Sequence, residues 1–324
     1  MVYNYCTLFD SFFLSRGLAL YYSLSETTPA FKLYVFPFDK KASNVLRAMA
    51  LDNLIIVEQE EFENEELLKI KSERTRGEYC WTCTPVIVDF CIQHFNLSHC
   101  TYLDADLLFF SSPNKLIDEM GKNSVLITKH RYTPRYDRSK IHGKYCVQFV
   151  TFKNNEAGRN VLTWWKNACI DWCFDRVEDG KFGDQKYLDD WPTRFPGIYD
   201  LPNEGAGLAP WNIQQYEIII GKGPLKIGNK ASSQEWDVIF YHFHWLRFLA
   251  ELRVDMGTYA LSMAAKEVFY KPYIRKLASY HTQLKRYGVM PPVQLYSTKS
   301  GVPIPLHKIA RRILGVRNIY AWSD

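Results

Sequence analysis

Apolar positions along this chain change their spacing in a repeating way. Residues 3–9 are almost continuously apolar and predict a strand. Residues 13–24 carry apolar side chains at helical spacing and predict a helix, and the pair repeats as strand 32–36 and helix 41–51. A short strand over 54–57 leads into the acidic run 58–66, which predicts a solvated helix. Helical spacing returns over 85–95, followed by strands at 101–104, 125–128 and 147–153. A long amphipathic helix is expected over 155–175 and a shorter one over 184–191. Residues 195–230, rich in Gly, Pro and Asn, predict loops. The strand over 238–243 is expected to be the last, followed by helix over 262–287, a break at Pro291 and Pro292, and a short helix over 305–314. Strands alternating with helices predict an α/β chain with a Rossmann-like, doubly wound, mostly parallel sheet.

The strand ending near residue 104 runs straight into Asp104-Ala105-Asp106, with apolar residues on both sides. Two carboxylates at the end of a buried strand are costly unless a cation compensates them. Hard oxygen ligands suit Mn²⁺ or Mg²⁺, ions that keep positions open for phosphate oxygens. The pattern therefore points to a metal–diphosphate site at the carboxyl end of a sheet. A polar turn with both aspartates solvated is the alternative.

Three further patterns carry chemistry. In Phe182-Gly183-Asp184-Gln185, the glycine permits a tight turn and Asp184 stands where a helix begins. Asp184 is either a reacting carboxylate or a helix cap, with Lys186 paired to Asp190. In Tyr241-His242-Phe243-His244-Trp245, two histidines at i, i+2 share a face and are able to ligate a metal, or to pair within an aromatic core. Gly205 to Asn212 reads as a flexible loop ending in the rigid Pro210-Trp211.

The order Asp-x-Asp, Gly-Asp-Gln, Gly-Leu-x-Pro-Trp-Asn, His-x-His resembles that of bacterial GT-A fold glycosyltransferases, nucleotide-diphospho-sugar transferases of the glycogenin-like, Asp-x-Asp type. The resemblance runs from Tyr5-Cys6-Thr7-Leu8-Phe9-Asp10 to about Trp245. It implies a nucleotide-sugar donor, a UDP-sugar first of all, and a glycan or lipid-linked glycan acceptor, as in cell-surface polysaccharide or lipopolysaccharide assembly. It places Cys6, Thr7 and Asp10 near the base and ribose, and Arg76, Asp104, Trp211 and Asn212 on the donor. Asp104, Asp106 and His242 or His244 would hold Mn²⁺ or Mg²⁺, and Asp184 and Gln185 would lie at the reacting carbon. The chain departs from the pattern at Val147 and Gln148, where related enzymes often carry Asn and Gly. It departs again after the histidines, where Trp245 and Leu246 replace a glycine, and Arg247 stands in for a lysine.

Charge and cysteine content refine this picture. The chain carries +5, but from Arg275 onward nine Lys/Arg face one acidic residue, which leaves about −3 on the body. That asymmetry does not fit a nucleic-acid-binding face. It suggests a catalytic body over 1–260 with a basic helical extension over 261–324, in peripheral contact with a membrane through Lys308, Arg311, Arg312 and Arg317. No transmembrane run or signal peptide is read, so a cytoplasmic location, at the inner face of the membrane, is expected. The eight cysteines are expected to be reduced and buried, with no metal or redox role. A nucleotidyltransferase would show a Gly-rich phosphate loop after the first strand, and here no glycine occurs before Gly17. A non-catalytic sugar-binding protein on the same fold is the remaining alternative.

Overall fold

A computed structural model of the chain describes residues 2–249, 253–291 and 318–321. Its centre is a seven-stranded sheet in the order β3-β2-β1-β4-β7-β6-β8. The strands are β1 (Tyr3–Phe9), β2 (Phe31–Pro37), β3 (Leu54–Ile56), β4 (His99–Leu103), β6 (Val125–Lys129), β7 (Tyr145–Lys153) and β8 (Ile198–Asp200). The pairs β3–β2, β2–β1, β1–β4 and β6–β8 are parallel, and β4–β7 and β7–β6 are antiparallel. This is the mixed, mostly parallel α/β sheet that the alternating elements predict.

Alternation along β1 shows how the layers are built. Cys6 and Leu8 face one apolar layer, shared with helices Arg76–His94 and Glu156–Asp171. Tyr5 and Phe9 face the other, shared with helices Leu14–Thr27 and Lys40–Met49. Gly17 is required in the first of these helices, because a Cβ there would lie 2.4 Å from the Phe9 ring.

Several boundaries differ from the sequence expectation for identifiable reasons. The acidic run is two short helices, Gln59–Phe62 and Glu65–Lys71, because Asn64 accepts from Leu67 N and restarts the helix. The helix expected over 85–95 begins at Arg76, where Thr75 and Glu78 close a capping box. The helix expected over 155–175 stops at Asp171, since Trp172 is extended. There Arg74 donates to the Cys169 carbonyl oxygen at 2.8 Å and to that of Ile170, binding the helix C-terminus.

The largest correction falls on 195–230, which is not all loop. It contains β8, β9 (Ala206–Leu208), β10 (Tyr216–Ile219) and β11 (Lys226–Asn229), the last two forming a small sheet with β12 (Glu235–Asp237). These strands are only three or four residues long, too short for periodicity to reveal. The strand expected over 238–243 is β13 (Phe240–His242) and is not the last. It is followed by β14 (Arg247–Leu249), β15 (Arg253–Asp255) and β16 (Ile319–Ala321), which form an antiparallel sheet.

The helix Lys271–Lys285 packs on helix Leu14–Thr27, with Tyr280 stacked on Tyr22 at 5.3 Å. Tyr273, Ile274 and Leu277 share one apolar cluster with Leu108, Tyr241 and Phe243 of the body. The helix expected over 305–314, and with it the basic membrane-contacting segment, lies outside the described residues. Among the described residues no helix is long and apolar enough to cross a membrane.

Candidate functional site

β4 ends at Leu103, and the chain turns through Asp104-Ala105-Asp106 into β5 (Leu107–Phe109). The turn is pinned at both ends. Asp104 N donates to the Gln148 carbonyl oxygen at 3.1 Å, and Phe243 N donates to the Asp106 carbonyl oxygen at 3.0 Å. A second small sheet, β5-β13-β9, brings the histidines here. β13 runs antiparallel to β5 with His242 opposite Leu107. Nε2 of His242 thereby stands 3.1 Å from an Asp106 carboxylate oxygen and 3.7 Å from one of Asp104.

The other face of the imidazole is also fixed. Nδ1 of His242 lies 2.8 Å from Oε1 of Gln148, in the middle of β7. A donor at Nδ1 orients the ring and directs Nε2 towards the two carboxylates, the outer support that metal-binding histidines usually have. Gly207, at φ 90°, makes room for Gln148: a Cβ there would lie 2.8 Å from its Nε2. His244 lines the same cleft as the two aspartates. Its ring packs on Trp211 at 5.4 Å, beside His242, which is 5.3 Å from the same indole.

Asp104, Asp106 and His242 offer two carboxylate oxygens and one imidazole nitrogen, the nitrogen 3.7 and 3.1 Å from the oxygens. That set fits Mn²⁺ or Mg²⁺ by ligand chemistry. The Cys146 thiol comes within 4.8 Å of the Asp104 and His242 ligand atoms, but burial raises its pKa and keeps it protonated, unlike the carboxylates.

The electrostatics follow from this packing. Burial works against the charge of Asp106, but His242 outweighs it and holds the carboxyl at about 2. Burial pushes Asp104 up to about 6; His242 pulls it back and Asp106 adds to the rise. For His242, burial disfavours the imidazolium and Asp106 overrides it, so its pKa lies well above the ordinary histidine value. Burial, followed by the repulsion of His242, drives His244 down to about 3.

Asp184 shares the cleft with these groups. The cleft holds about 600 Å³, and its walls include Trp81, Asp104, Asp106, Asp184 and Gln185. Asp184 is buried, and burial with the nearby Asp104 raises its carboxyl to about 8. Gly183, at φ 51°, makes the turn in front of it against the Trp81 ring. The helix-cap alternative for Asp184 is not what the structure shows. The following 3-10 turn, Lys186–Asp190, has Gln185 at its cap position and no side-chain cap bond. Lys186 pairs with Asp189 at 2.8 Å rather than with Asp190, which pairs with Arg194.

The remaining expected residues divide. Trp211 lines the cleft and donates from Nε1 to the His130 carbonyl oxygen. Asn212 does not reach it: fully buried, its side chain ties Ala209 N to the carbonyl oxygens of Gly207 and His130. Its side chain holds the loop that presents Trp211. Cys6 and Thr7 are also fully buried. The Cys6 thiol lies in the sheet's apolar layer beside Cys91 and Cys100. Asp10 and Arg76 do meet, at 2.8 Å, with Asp39 at 3.3 Å from the same guanidinium. They stand after β1 and are not among the cleft's lining.

Gln148 appears in the sequence only as a departure from related enzymes, and its support of His242 was not foreseen. Its signal was the one amide in a mainly apolar strand, fully buried here.

No protein-family model matches the chain. Two proteins of Bacillus subtilis (strain 168) are similar to it. One is the uncharacterized protein YfnF, 30% identical over 258 residues, covering 77% of this chain and 84% of YfnF. The other is the uncharacterized protein YfnD, 30% identical over 284 residues, covering 85% and 88%. Among solved structures, the galactosyltransferase LgtC in complex with donor and acceptor sugar analogues superposes with a TM-score of 0.53 at 10% identity, over 85% of this chain and 95% of that one. An active-site mutant of LgtC gives 0.52 at 10% identity, over 86% and 95%. The fold is therefore of the GT-A glycosyltransferase type, and the chain belongs to the family of YfnF and YfnD.

Proposed function

We propose that this chain is a metal-dependent glycosyltransferase that moves a sugar from a nucleoside-diphosphate sugar, a UDP-sugar first of all, to a glycan or lipid-linked glycan acceptor, as in cell-surface polysaccharide assembly. The observation that carries it is the convergence of Asp104, Asp106 and Nε2 of His242 at the end of β4, with Gln148 fixing the ring from behind.

Asp104, Asp106 and His242 would hold Mn²⁺ or Mg²⁺, and the ion would supply positive charge to offset that of a departing diphosphate. Asp106 is ionised across the neutral range and supplies charge to the site. Asp184 sits in the same cleft with its carboxyl held protonated near neutral pH. A carboxyl so tuned is able to exchange a proton with a sugar hydroxyl. Gln185 stands beside it on the cleft wall. Asp10 and Arg76 mark the nucleotide end, at the carboxyl edge of β1. Buried Asn212 and Gln148 keep Trp211 and His242 in place.

A glycosyltransferase reading is tested by UDP release from a panel of UDP-sugars with Mn²⁺ and simple glycoside acceptors. Release that depends on both acceptor and Mn²⁺ supports it. Tight UDP binding without turnover on any acceptor would favour a sugar-binding protein on this fold.

A further inference from the structure

The turn that follows the metal-binding histidine has an unusual occupant. Leu246 N donates to the Phe243 carbonyl oxygen at 3.3 Å, so residues 243–246 form a tight turn. Its second central residue is Trp245, with φ 67°. A turn with positive φ only at that position favours glycine, and a bulky side chain there is strained. Burial does not compensate for the strain, because Trp245 is 50% exposed.

Other contacts hold the indole where it is. The Arg247 guanidinium lies 4.2 Å from the ring centroid and covers one face. Gly257, at φ 88°, lets the next loop pass close: a Cβ there would stand 3.6 Å from that of Trp245. Arg16, buried in the first helix, donates to the Leu246 carbonyl oxygen at 2.7 Å and anchors the turn. Trp245 lines the same cleft as Asp104, Asp106 and Asp184. A strained, half-exposed aromatic held on the wall of a site is a reason to look for its ligand.

The ligand's chemistry follows from the surroundings. Tyr132, Trp211 and Tyr259 add aromatic surface to the cleft, while Asp184, Gln185 and Arg138 add hydrogen-bonding groups. Apolar ring faces combined with a few polar groups suit a pyranose, which has C–H faces and a hydroxyl rim. These walls come from segments after β6, β9, β13 and β15 and after helix Glu156–Asp171, not from the β1 end that carries Asp10 and Arg76. We propose that Trp245 is the stacking platform for the acceptor sugar ring, on the indole face that Arg247 leaves free. This rests on the glycosyltransferase reading and specifies its acceptor as a pyranose glycan.

The test is binding of the fluorescently labelled full chain to an array of pyranose glycans in the presence of UDP and Mn²⁺. The wild-type protein should bind a subset, Trp245→Ala should weaken that binding by about tenfold or more, and Trp245→Phe should keep most of it. Separate titration of UDP with Mn²⁺ should be the same for all three proteins within about twofold. Trp245→Gly, which relieves the backbone, should melt no lower than wild type and bind glycans as weakly as Trp245→Ala. Glycan binding by Trp245→Ala equal to wild type, or no glycan bound by wild type, overturns the proposal. Loss of UDP binding in wild type would instead remove the donor reading, while the array still reports on Trp245.

Discussion

The side-chain oxygen of Gln148 stands 2.8 Å from Nδ1 of His242, on the face of the ring opposite Asp106. The amide comes from the middle of β7 and the histidine from the end of β13, two strands in different sheets. Their contact joins the large sheet to the small one and fixes which imidazole nitrogen faces the carboxylates.

Gln148→Leu should therefore weaken Mn²⁺ binding by about 10–100-fold, the usual cost of losing such an outer partner. The protein should stay folded, because leucine fills most of the same buried volume. Electron paramagnetic resonance of free Mn²⁺ measures this directly. Unchanged Mn²⁺ affinity would show that Gln148 does not orient the ligand.

Mn²⁺ affinity should depend on pH with a definite sign. His242 in the metal-free protein has a raised pKa, so the metal must displace a proton from Nε2. Affinity should rise with pH up to the pKa of His242, by up to about tenfold per unit while that proton is displaced. Calorimetry in buffers of different ionisation enthalpy should detect proton release. A pH-independent affinity without proton release would place the ion elsewhere.

Asp184→Asn should lower kcat by about 10²-fold or more with little change in donor affinity, if the carboxyl exchanges a proton in the reaction. The same substitution has a stability signature. The Asp184 pKa is raised to about 8 in the fold, far above that of an unfolded carboxyl. Between those values the native state holds a proton that the unfolded state has lost, so this group makes stability fall as pH rises through that window. In EDTA, Asp184→Asn should remove that part of the decline between pH 5 and 8, as followed by thermal melts. Parallel melting curves for the two proteins would contradict the burial of a titrating carboxyl.

The cysteines should behave as core residues. Seven of the eight are buried and only Cys80 is partly accessible, with its thiol pushed up to about 12 mainly by burial. Titration with a thiol reagent should find at most one slowly reacting group in the native protein and eight after unfolding. Fewer than eight in denaturant without reductant would reveal disulfides.

The long elements were legible because their periodicity is strong. β1 occupies the residues that the apolar run predicts, and helix Lys40–Met49 differs from its predicted limits by one or two residues. The short strands β9, β10 and β11 were not, because three or four residues give no periodic signal and their pairing is set by distant partners such as β13. Within the site, Asp104, Asp106 and His242 were visible as motif residues, and the structure brings them together. The burial of the Asn212 and Cys6 side chains was not legible, since a motif identifies a residue without saying which way its side chain points. Gln148 was hidden because its meaning depends on a strand 94 residues away in sequence.

Asp104, Asp106 and His242 are proposed to bind a divalent cation that carries the nucleoside diphosphate. Calorimetric titration of UDP into the full chain, with Mn²⁺ and with EDTA, tests it most directly, using Asp106→Ala as the comparison. UDP should bind wild type at least about tenfold tighter with Mn²⁺ than with EDTA, and Asp106→Ala should lose that difference. Equal UDP affinity in Mn²⁺ and EDTA, or an Asp106→Ala protein that keeps the full Mn²⁺ effect, would contradict the account.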